Sequence, residues 1–264
     1  MTLAVTILGC GSSAGVPRVG QGWGACDPAE PKNRRRRCSI LVERRGEGGT
    51  TTLLVDATPD LREQLLGAGV NRLDAVLLTH DHADHVHGID DLRPLVIHMR
   101  RRMPVHMDEP TARTMRTRFG YCFASPEGSD YPPILDEHVF DAGRPVTIDG
   151  PGGPITARPI RLEHGRTEAL GFRFNDLAYA PDVSRVPEAS LPGFAGLDTL
   201  VVDALRYTPH PTHFSVSEAL AFIAAVRPKR AVLTNMHTDV DFATVAAEVP
   251  AGIEPAFDGM RLEA

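Results

Sequence analysis

Short apolar runs separated by small-residue turns recur along the whole chain. Residues 2–8 read as a strand that runs into Gly9-Cys10-Gly11-Ser12-Ser13-Ala14-Gly15, a loop bare enough for backbone N–H groups to approach an anion. Residues 16–37 carry Pro, Gly and four consecutive Arg, and predict an extended surface excursion. Residues 39–43 and 51–55 predict a hairpin around Gly46-Glu47-Gly48-Gly49. Leu61, Leu65 and Leu66 have helical spacing within residues 60–67, with Gly67 or Gly69 as the stop. Residues 75–78 are wholly apolar, as in a central strand covered on both faces. A strand at 104–107 and a helix at 110–119 follow, after which Tyr121-Cys122-Phe123 leads into a Pro-rich loop. Residues 155–162, 171–174 and 177–180 alternate like strands of a second sheet. The pattern ends with a strand at 199–203, an amphipathic helix at 215–226, a strand at 230–234 and a helix at 242–248. This order predicts an α/β fold of two sheets with helices outside, in a single domain over residues 1–264.

Composition narrows the function classes. Lys plus Arg number 28 against 34 Asp plus Glu, a net charge of −6, which argues against a protein that coats duplex nucleic acid. No apolar run approaches membrane-spanning length, and the opening residues lack a charged segment followed by an apolar one. The expectation is a cytoplasmic chain with no membrane partner. Cys10, Cys26, Cys38 and Cys122 are scattered, and read as free thiols. The eleven His are not evenly spread.

Three His and two Asp fall within His80-Asp81-His82-Ala83-Asp84-His85, directly after the buried strand at 75–78. A lone His is more often a surface or packing residue than a ligand. This density after an apolar strand outweighs that reading, because loops at strand C-termini are where α/β folds present side chains. In an extended loop His80 and His82 point the same way, whereas the adjacent Asp84 and His85 diverge and can serve two centres. Neutral imidazole with carboxylate suits Zn²⁺, Mn²⁺ or Fe²⁺ with positions left for water.

The His80-x-His82-x-Asp84-His85 run resembles the signature of the metallo-β-lactamase superfamily. Over nearly its whole length the chain is similar to PhnP-type phosphodiesterases, relatives of the tRNA 3′-processing endonuclease RNase Z. The resemblance rests on residues 8–17, Arg36-Arg37-Cys38-Ser39, residues 54–62, Gly88-Ile89-Asp90-Asp91-Leu92-Arg93 and Phe257-Asp258-Gly259-Met260. It implies a four-layer αββα sandwich of two mixed β-sheets flanked by helices, holding two divalent metal ions, Mn²⁺ or Zn²⁺. His80, His82 and His164 would bind one ion, and Asp84, His85 and His237 the other, with Asp182 bridging. Asp84 also counts among the catalytic residues. The implied reaction is hydrolysis of a small cyclic phosphate or nucleotide-like phosphodiester by a hydroxide held between the metals.

Two departures from the family pattern matter. Relatives place a His directly after the Leu-Thr of the penultimate strand, where this chain has Asn235. The imidazole is expected from His237 through a shifted loop, with Asn235 beside it or as the alternative ligand. Some relatives also hold a structural zinc with three close Cys. Cys26 alone cannot, so that site is expected to be absent and Cys26 to be a small buried side chain. His213 resembles the phosphodiesterase branch's additional His, implying a proton donor to the leaving group, with Asp203 orienting it. One or two of Arg34 to Arg37 are expected to anchor their loop or a phosphate. Competing readings are an RNase Z-like tRNA or RNA nuclease, a binding protein of this fold without catalysis, and a lactonase or thioesterase, because fold does not fix substrate. Pairing as a homodimer is left open.

Overall fold

The computed structural model of the chain describes residues 2–264. β1 (Ala4–Gly9), β2 (Ser39–Gly46) and β3 (Gly49–Val55) pair antiparallel, and the β2–β3 hairpin closes at Gly46 and Gly49. The chain continues through α1 (Leu61–Gly67), β4 (Ala75–Leu77), α2 (Ala83–Val86), α3 (Arg93–Met99), β5 (Met103–Met107), α4 (Glu109–Phe123) and β6 (Leu135–Val139). From β3 to β6 neighbouring strands run parallel. β7 (Val146–Ile148), β8 (Ile155–His164), β9 (Thr167–Phe174) and β10 (Leu177–Ala180) open a second sheet, antiparallel. β11 (Thr199–Asp203), α5 (Val216–Val226), β12 (Arg230–Thr234), α6 (Phe242–Glu248) and β13 (Ile253–Pro255) extend it in parallel. β14 (Arg261–Glu263) returns to pair with β1. Two seven-stranded mixed sheets result, ordered β14-β1-β2-β3-β4-β5-β6 and β13-β12-β11-β10-β9-β8-β7.

Alternation within β3 explains the unbroken apolar strands. Leu53 and Val55 join Ile7, Leu77, Phe172 and Val201 in a core between the sheets. Leu54 joins Val76, Val105 and residues of α1, α2 and α4 in a second core beneath those helices. With both faces covered, a polar position has nowhere to go. Each buried Leu or Val is worth about 1.5–3 kcal/mol over an exposed one. Helix ends follow local chemistry. Ser215 and Glu218 form a reciprocal capping box on α5, and Gly69, at φ 67°, ends α1 with its N–H on Leu66 O.

The structure departs from the expected elements at several points, β9 among them, which begins at Thr167 rather than at 171. α4 continues to Phe123 through a non-helical Phe119, so Tyr121 and Cys122 lie in helix rather than in the loop. β8 runs on to His164, which therefore ends a strand. α3, β6, β7, β13 and β14 have no counterpart among the expected elements. Most are edge or outer elements of three to five residues, too short to show a period. The four Arg mostly anchor their own loop. Arg35 is buried with Nη2 on Asn33 Oδ1, Arg36 pairs with Asp258 at 2.9 Å, and Arg37 pairs with Asp60 at 2.8 Å. Among the described residues, no helix is long and apolar enough to cross a membrane.

Candidate metal centre

One edge of the sandwich gathers the ends of strands from both sheets. His80 follows β4, His164 ends β8, Asp182 follows β10 and Asp203 ends β11. The β4 loop stays extended through His82, whose C=O then accepts from the N–H of His85 as α2 begins. His80 thereby lies 4.5 Å from His82 and 4.3 Å from His85 between ring centroids. His164 comes in from the second sheet, 4.9 Å from the His82 ring.

The outer nitrogens of these rings are pinned, and that fixes what the inner ones can do. His85 Nδ1 donates to Asp56 Oδ2 at 2.7 Å, and His164 Nδ1 donates to Thr212 O at 2.6 Å. Thr79 Oγ1 gives its proton to Asp56 Oδ2 at 2.8 Å, so it accepts from His80 Nδ1 at 2.9 Å. With Nδ1–H engaged, each ring turns Nε2 inward, and that nitrogen is a bare lone pair whenever the ring is neutral. Asp182 sits where they converge, with Oδ1 3.1 Å from His85 Nε2. Its Oδ2 lies 3.9 Å from His80 Nε2 and 3.7 Å from His164 Nε2.

Such an arrangement is costly unless a cation occupies it. His80 Nε2, His85 Nε2 and Asp182 Oδ1 are buried without a hydrogen-bond partner. Burial, reinforced by the neighbouring His85, holds His80 well below the usual imidazole range, and burial also lowers His164. Burial opposes a charge on His85, yet Asp182 and Asp56 outweigh it and raise His85. Against its own burial, Asp182 is held well below the carboxylate range by His85 and then His80. Three overlapping groups could each hold an ion: His80 with His82 and His164; His80 with His85 and Asp182; His164 with Asp182 and His213. Neutral imidazoles pinned from behind and sharing a carboxylate fit divalent cations.

Asp84 lies at the margin, its Oδ2 3.5 Å from His85 Nε2. His213 sits inside the group, 4.6 Å from the His164 ring, with Nδ1 2.7 Å from Asp203 Oδ2. Burial alone would lower this imidazole, but Asp203, then Asp182 and Asp84, push it up to about 9. His237 is not brought into the group, contrary to expectation. Asn235 adopts a left-handed φ of 60°, and Met236 is buried beside Gly11. His237 then faces Arg18 and Asp239 instead. Asn235 takes the inner position, its Nδ2 3.0 Å from Pro181 O and 3.2 Å from His213 Nδ1. Cys26 is buried with Sγ 3.5 Å from Val240 O, and Arg35 Nη1 lies 4.0 Å from it.

Two further contributors, Asp56 and Thr79, are not among the residues that the sequence pattern singles out. Asp56 is fully buried and accepts from His85, Thr79 N–H and Thr79 Oγ1. The available signal was a carboxylate closing the apolar strand next to the one that carries the His run.

The chain matches the β-lactamase superfamily domain over residues 51–236. It is 31% identical over 259 residues to the octanoyltransferase of Porphyromonas gingivalis (strain ATCC BAA-308 / W83), covering 97% of this chain and 50% of that protein. The chain thus spans half the length of that relative. It is 27% identical over 282 residues to a ribonuclease Z of Bradyrhizobium diazoefficiens, covering 83% of this chain and 89% of that one. Among solved structures, a diphosphatase from the PhnP family is 34% identical with a TM-score of 0.89, covering 100% of this chain and 98% of that one.

Proposed function

This chain belongs to the β-lactamase superfamily and within it to the PhnP family, and on that premise we propose that it is a metal-dependent hydrolase of small phosphodiesters. The observation that carries the reading is the convergence of inward Nε2 lone pairs on a carboxylate whose Oδ1 has no partner. His80, His82 and His164 would hold one divalent cation, Asp84 and His85 a second, with Asp182 shared. When bound, such cations supply Lewis acidity, making water acidic enough to ionise near neutral pH and neutralising phosphate oxygens. Asp56 and Thr79 keep His85 and His80 in the tautomers that leave Nε2 bare. Asp203 holds His213 by Nδ1, leaving Nε2 to carry a proton toward a departing oxygen. A small cyclic phosphate or nucleotide-like diester is the substrate class we favour.

The test combines metal analysis with a diester panel, bis-p-nitrophenyl phosphate, cyclic nucleotides and ribose cyclic phosphates, assayed with Mn²⁺ or Zn²⁺. Two metal equivalents and hydrolysis of at least one diester are expected, with both lost in Asp182→Ala. Full metal occupancy in that variant would show that the shared carboxylate is misassigned. An RNA-processing reading is favoured by the likeness to a ribonuclease Z and opposed by the net charge of −6. It requires salt-sensitive tRNA binding, which a filter assay detects.

A further inference from the structure

Beside the metal group lies a set of cationic side chains that this reading does not use. Residues 11–26 fold back over the segment that follows β12. Ser12 N–H donates to Met236 O at 3.2 Å and Ala25 N–H to Thr238 O at 2.8 Å. Gly24 approaches so closely that a Cβ there would fall 2.6 Å from Thr238 O.

This clamp carries Arg18. Its Nη1 lies 2.5 Å from His237 Nε2 and 3.4 Å from Gln21 Oε1, and its Nη2 reaches Ser12 Oγ at 3.5 Å. All three partners are uncharged. Arg has donors only, so the His237 nitrogen facing it is bare and the ring proton sits on Nδ1, 3.1 Å from Asp239 Oδ1. Asp239, His237 and Arg18 thus form a chain of hydrogen bonds that ends in a guanidinium, and the Nε of that guanidinium is buried with no partner. A fixed, partly desolvated guanidinium without a carboxylate is built to receive an anion. It also lies next to the metal group. Asn235, two residues before His237, is 3.2 Å from His213, and His237 N–H is held by Leu205 O at 2.8 Å, two residues after Asp203. Arg206, on the loop between β11 and α5, lies close enough to His237 to help lower its imidazole, and so adds positive potential there.

We propose that Arg18, positioned by His237 and Asp239, binds a second phosphate of the substrate next to the one that is cleaved. The favoured substrates are then diesters whose two organic groups are bridged by two phosphates. This rests on the phosphodiesterase reading and names its substrate class.

The experiment compares two adenosine dinucleotides, one bridged 5′–5′ by a single phosphate and one by two. AMP release is followed by chromatography in the wild type, Arg18→Ala, Arg18→Lys, His237→Ala and His237→Gln. The wild type should favour the two-phosphate compound by about tenfold or more in kcat/KM, as a charge-assisted Arg–phosphate contact allows. Arg18→Ala should erase that preference, chiefly through KM. Arg18→Lys should retain part of it, because the charge stays and the fork is lost. His237→Ala should erode it too, with metal content unchanged. His237→Gln, whose amide oxygen accepts from Arg18, should restore it. A wild type without the preference, an Arg18→Ala variant that keeps it, or loss of a metal ion from His237→Ala overturns the proposal. A wild type that hydrolyses neither dinucleotide nor bis-p-nitrophenyl phosphate overturns the underlying reading instead.

Discussion

Removing the His213 imidazole separates proton donation from metal binding. Its Nδ1 is committed to Asp203 at 2.7 Å, and the acids around it push it up to about 9. At pH 7 that corresponds to roughly 100 protonated rings for each neutral one. In Asp203→Asn the main raising charge is gone while burial still lowers the pKa. Its pKa should fall, and the protonated fraction at pH 7 with it, although Asp182 and Asp84 still raise the ring. Cations bound nearby would lower both values and leave their order unchanged. A donor helps only a leaving group that needs its proton, so His213→Ala should cost about 10²–10⁴-fold on an alkyl or cyclic ribose diester. A nitrophenolate departs unprotonated, and the loss on bis-p-nitrophenyl phosphate should be far smaller. Asp203→Asn should shift the alkaline fall of alkyl-diester activity to lower pH, because the group that must stay protonated now lets go earlier. The assay is kcat/KM against pH on both substrate types, with metal content measured on each variant. Equal losses on both substrates, or loss of a metal ion from His213→Ala, would falsify the donor role and make His213 a ligand, which its place beside His164 and Asp182 also permits.

Other perturbations follow from the same geometry. Asp56→Ala leaves three buried donors unpaired and should cost about 3–5 kcal/mol, with metal affinity about 10–100-fold weaker; unchanged affinity in a chelator competition would remove Asp56 from the site. Gly88→Ala would set a Cβ 1.8 Å from Thr58 O, a backbone atom that cannot swing aside, so a loss of about 2 kcal/mol or more is expected in urea denaturation. A loss below about 0.5 kcal/mol would mean that the loop adapts freely. His106 stacks on His138 at 4.7 Å, and burial, then that neighbour, lower it to about 4. Its folded pKa lies below the unfolded value, so its contribution is present above about pH 6.5 and is lost as pH falls toward 4. His106→Phe should flatten that acid loss in chelator-treated protein, and an unchanged slope would assign it to other groups.

The order of strands and helices was legible because its signals are local. The apolar run at β4, the hairpin glycines and the Ser215–Glu218 cap each act over a few residues. The density of His and Asp after β4 was legible for the same reason, and the structure does gather His80, His82, His85, His164 and Asp182. What escaped were long-range partners. Nothing near Asp56 in the sequence shows that it will meet His85 across parallel strands, 29 positions later.

The missed carboxylate and the misplaced imidazole have a common physical cause. Asp56 and Asn235 are non-glycine residues in the left-handed region, at φ 67° and 60°, each directly after a strand of the site. Strand alternation places residues i and i+2 on one face, which would leave Asn235 and His237 interchangeable as inward groups. A left-handed residue breaks that alternation. It turns the Asn235 amide toward His213 and Pro181, buries Met236, and sends His237 outward to Arg18. The same device at Asp56 aims its carboxylate sideways to Thr79 and His85 instead of along the sheet normal. Such backbone costs of order 1–3 kcal/mol persist where the surroundings over-determine them, commonly at active sites. The local rule therefore fails at positions selected for chemistry, and the two failures mark the metal group's outer support and the start of its anion-facing rim.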